Sequence, residues 1–263
     1  MSPRPAAPQA DATGGDREPL RVHFLGTGDA FGSGGRFNTC FLVRDRRGGF
    51  LIDCGASSMI AMRKFGVDPN GIRAVLISHL HGDHFGGLPY LLLDAQLVSR
   101  RTAPLAIAGP PGLAERLAAA MENAFPGSGT VERRFPLEVI ELAPQATREV
   151  AGVAVTPHQV RHPCGAPPFA LRLEVDGRII AYSGDTEWVE ALGEAARGAD
   201  LFIAEAYFPD RKVKYHLDFA TLAQHLPEIG ARRVILTHMT PAMLAAAAAT
   251  GCEAAEDGMV VAL

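Results

Sequence analysis

The segment that most restricts what this chain can become is His79-Leu80-His81-Gly82-Asp83-His84, which follows without a break on the apolar run Arg73–Ser78 (RAVLIS). That run is short, apolar and preceded by the turn signal Pro69-Asn70-Gly71, so it predicts a buried strand. Residues i and i+2 of an extended segment point the same way, which lets His79 and His81 grip one ion together. Gly82 permits a sharp turn, after which Asp83 and His84 can face a second ion. Imidazoles and a carboxylate without cysteine suit Zn²⁺, Mn²⁺ or Fe²⁺. The bland alternative is a surface loop that happens to be rich in histidine. Three of the chain's nine histidines within this one hexapeptide weigh against it.

The rest of the composition bounds the class. A chain of 263 residues with 48% hydrophobic and 21% charged residues suits one large α/β domain. A net charge of -4 gives no bulk attraction for nucleic acid or anionic lipid. The basic pairs Arg46–Arg47, Arg100–Arg101, Arg133–Arg134 and Arg232–Arg233 read as solvated surface. Cys40, Cys54, Cys164 and Cys252 form no C-x-x-C pair, which argues against a thiolate site and for a reducing, cytoplasmic setting. The first 19 residues are rich in Pro, Ala and polar side chains, lack the apolar core of a signal peptide, and are expected to be disordered. The longest apolar stretch, Val234–Ala249, is broken by Thr237, His238, Thr240 and Pro241, so no membrane span is expected.

From Leu20 onward, runs of predicted strands alternate with helices. Strands are expected at Leu20–Leu25, Phe37–Val43, Gly49–Ile52, Arg73–Ser78, Pro104–Ala108, Leu137–Leu142, Val153–Pro157, Phe169–Val175, Arg178–Tyr182, Leu201–Ala206, Arg233–Thr237 and Met259–Leu263. Helices are expected at Ala56–Phe65, from after the loop His79–Gly87 to about Val98, and at Pro111–Asn123, Thr186–Arg197, Asp218–Leu226 and Pro241–Thr250. The pattern suits two packed sheets covered by helices, in a single domain over residues 20–263.

HLHGDH after a buried strand resembles the H-x-H-x-D-H signature of the metallo-β-lactamase superfamily, an α/β fold built as a four-layer αββα sandwich. FLGTG (Phe24–Gly28), LIDCG (Leu51–Gly55), YSGDT (Tyr182–Thr186), ILTHM (Ile235–Met239) and EDGM (Glu256–Met259) resemble motifs of its ribonuclease Z-like, phosphodiesterase branch. Each tag is weak alone, whereas their order and spacing together are specific. The resemblance implies two divalent metal ions, zinc or manganese first and iron also compatible. It implies His79, His81 and a further histidine on one ion, Asp83, His84 and His238 on the other, and Asp185 bridging both. The further histidine is His162 or His158; His162, ahead of the turn Pro163-Cys164-Gly165 and the strand Phe169–Val175, matches the pattern better. A hydroxide bridging the ions would be the nucleophile, with Asp83 orienting it. Asp53 is expected to hydrogen-bond a ligand histidine, or else simply to cap its strand. His216, in Lys214-Tyr215-His216-Leu217-Asp218, matches a histidine that stabilises phosphate or protonates the leaving group; the plain reading is a loop histidine near a helix start.

The resemblance implies a metal-dependent hydrolase. Intact ligands argue against a degenerate member, and His81 argues against the diiron redox members. Enzymes that process tRNA 3′ ends carry a long arm between the third histidine and the bridging aspartate, whereas His162 and Asp185 are 23 residues apart here. The expected substrate is therefore a small or cyclic phosphodiester, with nucleic acid not the main partner. The alternatives are a lactone, thioester or amide hydrolase, or a non-catalytic small-molecule carrier. Relatives are often homodimers, an analogy only.

Overall fold

The computed structural model describes residues 19–263; of the tail expected over residues 1–19, all but the last position lie outside the described residues. Strands β1 (Arg21–Gly26), β2 (Cys40–Asp45), β3 (Gly48–Ile52), β4 (Ile72–Leu76), β5 (Leu105–Gly109) and β6 (Leu137–Glu141) form the first sheet. Strands β7 (Arg148–Val150), β8 (Val153–Gln159), β9 (Phe169–Val175), β10 (Arg178–Tyr182), β11 (Leu201–Glu205), β12 (Val234–Thr237) and β13 (Glu253–Ala254) form the second. A last strand, β14 (Val260–Ala262), returns to pair with β1, giving the orders β14-β1-β2-β3-β4-β5-β6 and β13-β12-β11-β10-β9-β8-β7. Pairing is antiparallel along β14-β1-β2-β3 and β7-β8-β9-β10 and parallel along β3-β4-β5-β6 and β10-β11-β12-β13. Tight turns suffice for the antiparallel pairs. The parallel ones need crossovers, which helices supply.

The helices are α1 (Ser58–Lys64), α2 (Gly82–Phe85), α3 (Leu88–Leu97), α4 (Leu113–Ala124), α5 (Glu190–Ala196), α6 (Phe219–Ile229) and α7 (Pro241–Ala246). Side-chain alternation distributes each strand over two cores. Phe41 and Val43 of β2 and Ile203 of β11 point between the sheets. Their neighbours Cys40 and Leu42 face the layer of α1, α3 and α4, and Phe202 and Ala204 face the layer of α5, α6 and α7. One core between the sheets and one beneath each helical layer make the four-layer αββα sandwich, as expected.

Differences from the expected elements have local causes. The expected helix over 186–197 starts only at Glu190, because Val189 is extended (φ -143°, ψ 152°) and the Thr186 hydroxyl donates to the Glu187 carbonyl. Within the expected loop His79–Gly87, Gly82–Phe85 closes the single turn α2, and Gly86 and Gly87 separate it from α3, which starts where the helix was expected. The short edge strands β7 and β13 went unpredicted, since three and two residues carry no periodicity. Arg101, expected at the surface, is only 3% exposed. Among the described residues no helix is long and apolar enough to cross a membrane.

Candidate metal centre

The parallel strands aim their C-terminal ends at one edge of the sandwich, and the chemistry collects there. The HLHGDH loop leaves β4, Asp185 follows β10, Glu205 ends β11 and His238 follows β12. The register Tyr182↔Ile203 and Glu205↔Thr237 brings the last three side by side. Gly184 makes the approach of Asp185 feasible: its φ is +58°, and a Cβ there would sit 2.7 Å from the Phe169 carbonyl oxygen. Asp53 (φ 57°) and His238 (φ 56°) also hold left-handed backbone, which is uncommon for residues with a side chain and clusters at functional sites.

Three groups of possible ligand atoms result, each within 4.8 Å: the expected pair of sets, His79, His81 and His162, and Asp83, His84, Asp185 and His238, and a third that joins Asp185 and His238 to Glu205 and His216. His162 Nε2 lies 3.0 Å from His81 Nδ1. His158 is elsewhere, 3.8 Å from Glu194, so of the two candidates only His162 joins His79 and His81. Asp185 stands between the two expected sets. Its Oδ2 is 3.9 Å from Nε2 of both His79 and His162 and 3.4 Å from His238 Nε2, and its Oδ1 is 3.3 Å from His84 Nε2. Asp83 Oδ2 lies 3.2 Å from Nε2 of both His84 and His238.

The surrounding residues hold these side chains in place. Asp53 accepts from His84 Nδ1 at 2.7 Å and from the Ser78 backbone N–H and hydroxyl at 2.7 and 2.8 Å. The Tyr215 carbonyl accepts from His162 Nδ1 at 2.9 Å. Both bonds leave Nε2 free to ligate, the usual arrangement behind a metal-bound imidazole. His216 sits at the rim, its ring 5.0 Å from that of His162, stacked at 4.3 Å on Tyr207, with Nδ1 2.5 Å from Glu205 Oε1. The glycine-rich loop over residues 26–36 (GTGDAFGSGGR) closes the opposite side through the bond from His238 N–H to the Thr27 carbonyl. Thr27 is in turn tied to Asp257 through its N–H at 2.9 Å and its hydroxyl at 2.8 Å.

The electrostatics call for a cation. Asp53, Asp185 and Glu205 are buried, and Asp83 lies beside them. Burial alone would lower the His238 pKa, but the charge of Asp185 and bonds to Asp83 and Glu205 raise it to about 10. His84 is driven up likewise: burial opposes, while Asp185 and Asp83 prevail. His79, farther from the carboxylates, is held well below its usual value by burial and by the His84 charge. The carboxylates thus hold protons on two imidazoles where a divalent ion would serve. His79 Nε2, His84 Nε2 and Asp185 Oδ1 are buried without a hydrogen-bond partner among the described residues. Orphaned ligand atoms converging on one space fit metal binding.

Glu205 is the residue that sequence reading passed over. Its signal was there: an acidic residue closing the apolar strand LFIAE, one strand over from Asp185. It also accepts from the Thr186 and Leu217 backbone N–H groups at 2.9 and 3.2 Å. His225 stacks on Trp188 at 3.6 Å, away from the site.

Comparison with known proteins agrees with this fold. The human short-form tRNase Z (ELAC1) superposes with a TM-score of 0.74 and 27% identity over 92% of this chain and 98% of that one. The metallo-β-lactamase-fold protein YhfI from Bacillus subtilis gives 0.76 and 21% identity over 92% and 98%. A ribonuclease Z of Mycobacterium marinum is 29% identical over 246 residues, 86% of this chain and 88% of that protein. Residues 20–257 match the family described as Anti-Pycsar protein Apyc1. With its fold and its relatives taken together, the chain is a metal-dependent hydrolase of the metallo-β-lactamase fold and belongs to the Anti-Pycsar protein Apyc1 family.

Proposed function

We propose that the chain hydrolyses a small or cyclic phosphodiester with two divalent ions, one on His79, His81 and His162, the other on Asp83, His84 and His238, with Asp185 between them. The observation that carries this reading is the Glu205–His216 pair at the rim of the ligand cluster. Bound ions would neutralise phosphoryl charge and lower the pKa of attacking water. The chain's own residues do the rest. Asp83 orients the water and takes its proton. Glu205 fixes His216 Nδ1, so that Nε2 carries the proton delivered to the leaving oxygen. Burial disfavours a charged His216, but the Glu205 bond and charge outweigh it and raise its pKa, which keeps a donor available near neutral pH.

The small size of the substrate is supported by the link between β9 and β10, a two-residue turn at Asp176–Gly177 with no arm to clamp a long RNA. The ribonuclease Z relatives favour a second reading, cleavage of an RNA phosphodiester. The test is hydrolysis of bis(p-nitrophenyl) phosphate by Zn²⁺- or Mn²⁺-loaded protein beside an Asp185→Ala control, followed by cyclic nucleotides and a precursor tRNA. Turnover of the ester and a cyclic nucleotide, lost in the control, is expected. Faster turnover of the tRNA would select the second reading. A loaded protein that cleaves lactones or thioesters but no phosphodiester would overturn both.

A further inference from the structure

The opposite end of the sandwich holds a second concave feature. The metal centre hangs from the C-terminal end of β4, whereas a cavity of about 630 Å³ opens around Arg73 near the start of the same strand and beside the first residues of β5 and β6, Leu105 and Leu137. Its size falls in the range of small-molecule sites. Apolar side chains from Pro104 to Ala106, with Pro136 and Leu137, supply much of its wall. Its charge is unusual for a chain of net charge -4: three guanidiniums, Arg47, Arg73 and Arg101, against one carboxylate, Glu138.

Two of these guanidiniums are held rigidly and incompletely used. Arg73 donates from Nε to the Ala151 carbonyl at 2.8 Å and from Nη2 to Asp45, and it lies over the Phe50 ring at 5.3 Å. Its Nη1 is buried with no partner among the described residues. Arg101, 3% exposed, spends Nε, Nη1 and Nη2 on the carbonyls of Ala103, Pro69 and Pro104 at 2.7, 3.2 and 2.6 Å. Carbonyls fix its plane without cancelling its charge, and two of its five N–H groups stay unassigned. Asn70, also in the wall, gives Nδ2 to the Ser99 carbonyl at 2.7 Å and leaves Oδ1 buried without a partner. Arg73 and Asn70 thus both line the cavity and each carries a buried polar atom without a partner, and buried polar groups are rarely left so. Planar, immobilised guanidiniums suit recognition of phosphate or carboxylate.

We propose that this cavity is a second ligand site, remote from the metal centre, for a small organic anion whose phosphate or carboxylate head meets Arg73, Arg101 and Arg47 and whose apolar body lies against Leu105, Pro136 and Leu137. Titration calorimetry of the metal-loaded protein with phenylphosphonate, benzoate and inorganic phosphate tests it, in the wild type and in Asp185→Ala, where any binding at the metal centre is disturbed. Phenylphosphonate or benzoate is expected to bind both proteins alike and more tightly than inorganic phosphate; whichever of the two binds identifies the head. Arg47→Ala and Glu138→Gln change exposed residues and leave the core intact. The first should weaken binding roughly fivefold and the second strengthen it roughly twofold. Absence of binding by both aromatic anions, or binding that vanishes in Asp185→Ala and ignores both cavity variants, would overturn the proposal.

Discussion

The buried carboxylate of Glu205 lies 2.5 Å from Nδ1 of His216 and 3.5 Å from Nδ1 of His238, so one acidic side chain supports both a rim histidine and a candidate metal ligand. If His216 delivers a proton, its protonated form is the active one, and activity falls as pH rises through its raised pKa. Glu205→Gln removes the charge that holds that pKa up, so the falling limb of the rate profile should move to lower pH. His216→Ala should cut turnover about 10²–10⁴-fold while metal content stays unchanged. A His216→Ala enzyme of wild-type rate would remove the residue from the reaction.

Asp53 acts through His84. Asp53→Asn keeps the shape but replaces a charged acceptor facing His84 Nδ1 with an amide that can turn its NH₂ toward the ring, so the second ion should bind about 10–100-fold more weakly. Competition with a chelating dye reads this directly, independent of turnover.

The two histidines that compete in sequence separate by metal count. His162→Ala should lose one equivalent of metal after desalting, and His158→Ala should lose none, because only His162 shares space with His79 and His81. Elemental analysis by mass spectrometry decides it.

Gly184→Ala forces a side chain onto a left-handed residue and against the Phe169 carbonyl. The cost should be about 1–3 kcal/mol or more, seen as a lower urea midpoint, and Asp185 should be displaced with it.

Far from the site, Asp200 accepts from the Ile179 N–H at 2.9 Å and from Arg178 and Arg232 at 3.1 Å each. Burial pushes its pKa up, but the Ile179 N–H and the two arginines outweigh this and hold it below the usual carboxylate range. Such a group contributes its full stability above the unfolded pKa of about 3.9 and loses it as pH falls through the lower folded value. Asp200→Asn should therefore cost about 1 kcal/mol in urea unfolding at pH 7 and nearly nothing near pH 2.

Much of the candidate centre could be read in the chain because most of its residues come in short motifs that resemble those of a known family. His79, His81, Asp83 and His84 are adjacent in sequence, and Asp185 and His238 each sit just past an apolar strand, where strand direction alone sends them to one edge. Glu205 was not legible, since a lone acidic residue at a strand end looks like any solvated one until β10 and β12 flank it. Arg101 misled for the same reason: a basic pair looks like surface, and only the carbonyls of Pro69, Ala103 and Pro104 make its burial tolerable. The start of α5 shifted because Thr186 and Glu187 bond into the site instead of into a helix.

By itself the sequence determined most of the strand and helix order, through periodicity, while the αββα class and the candidate histidine and aspartate set came from the resemblance of its short motifs to a known family. Such motifs are legible because their spacing is a property of a few consecutive residues. Tertiary structure alone decided that His162 and not His158 meets the cluster, that Glu205 stands behind His216 and His238, and that three arginines ring a cavity at the far end. Each of these depends on which residues meet across strands dozens of positions apart, and that is set by sheet register and layer packing, which no local pattern encodes.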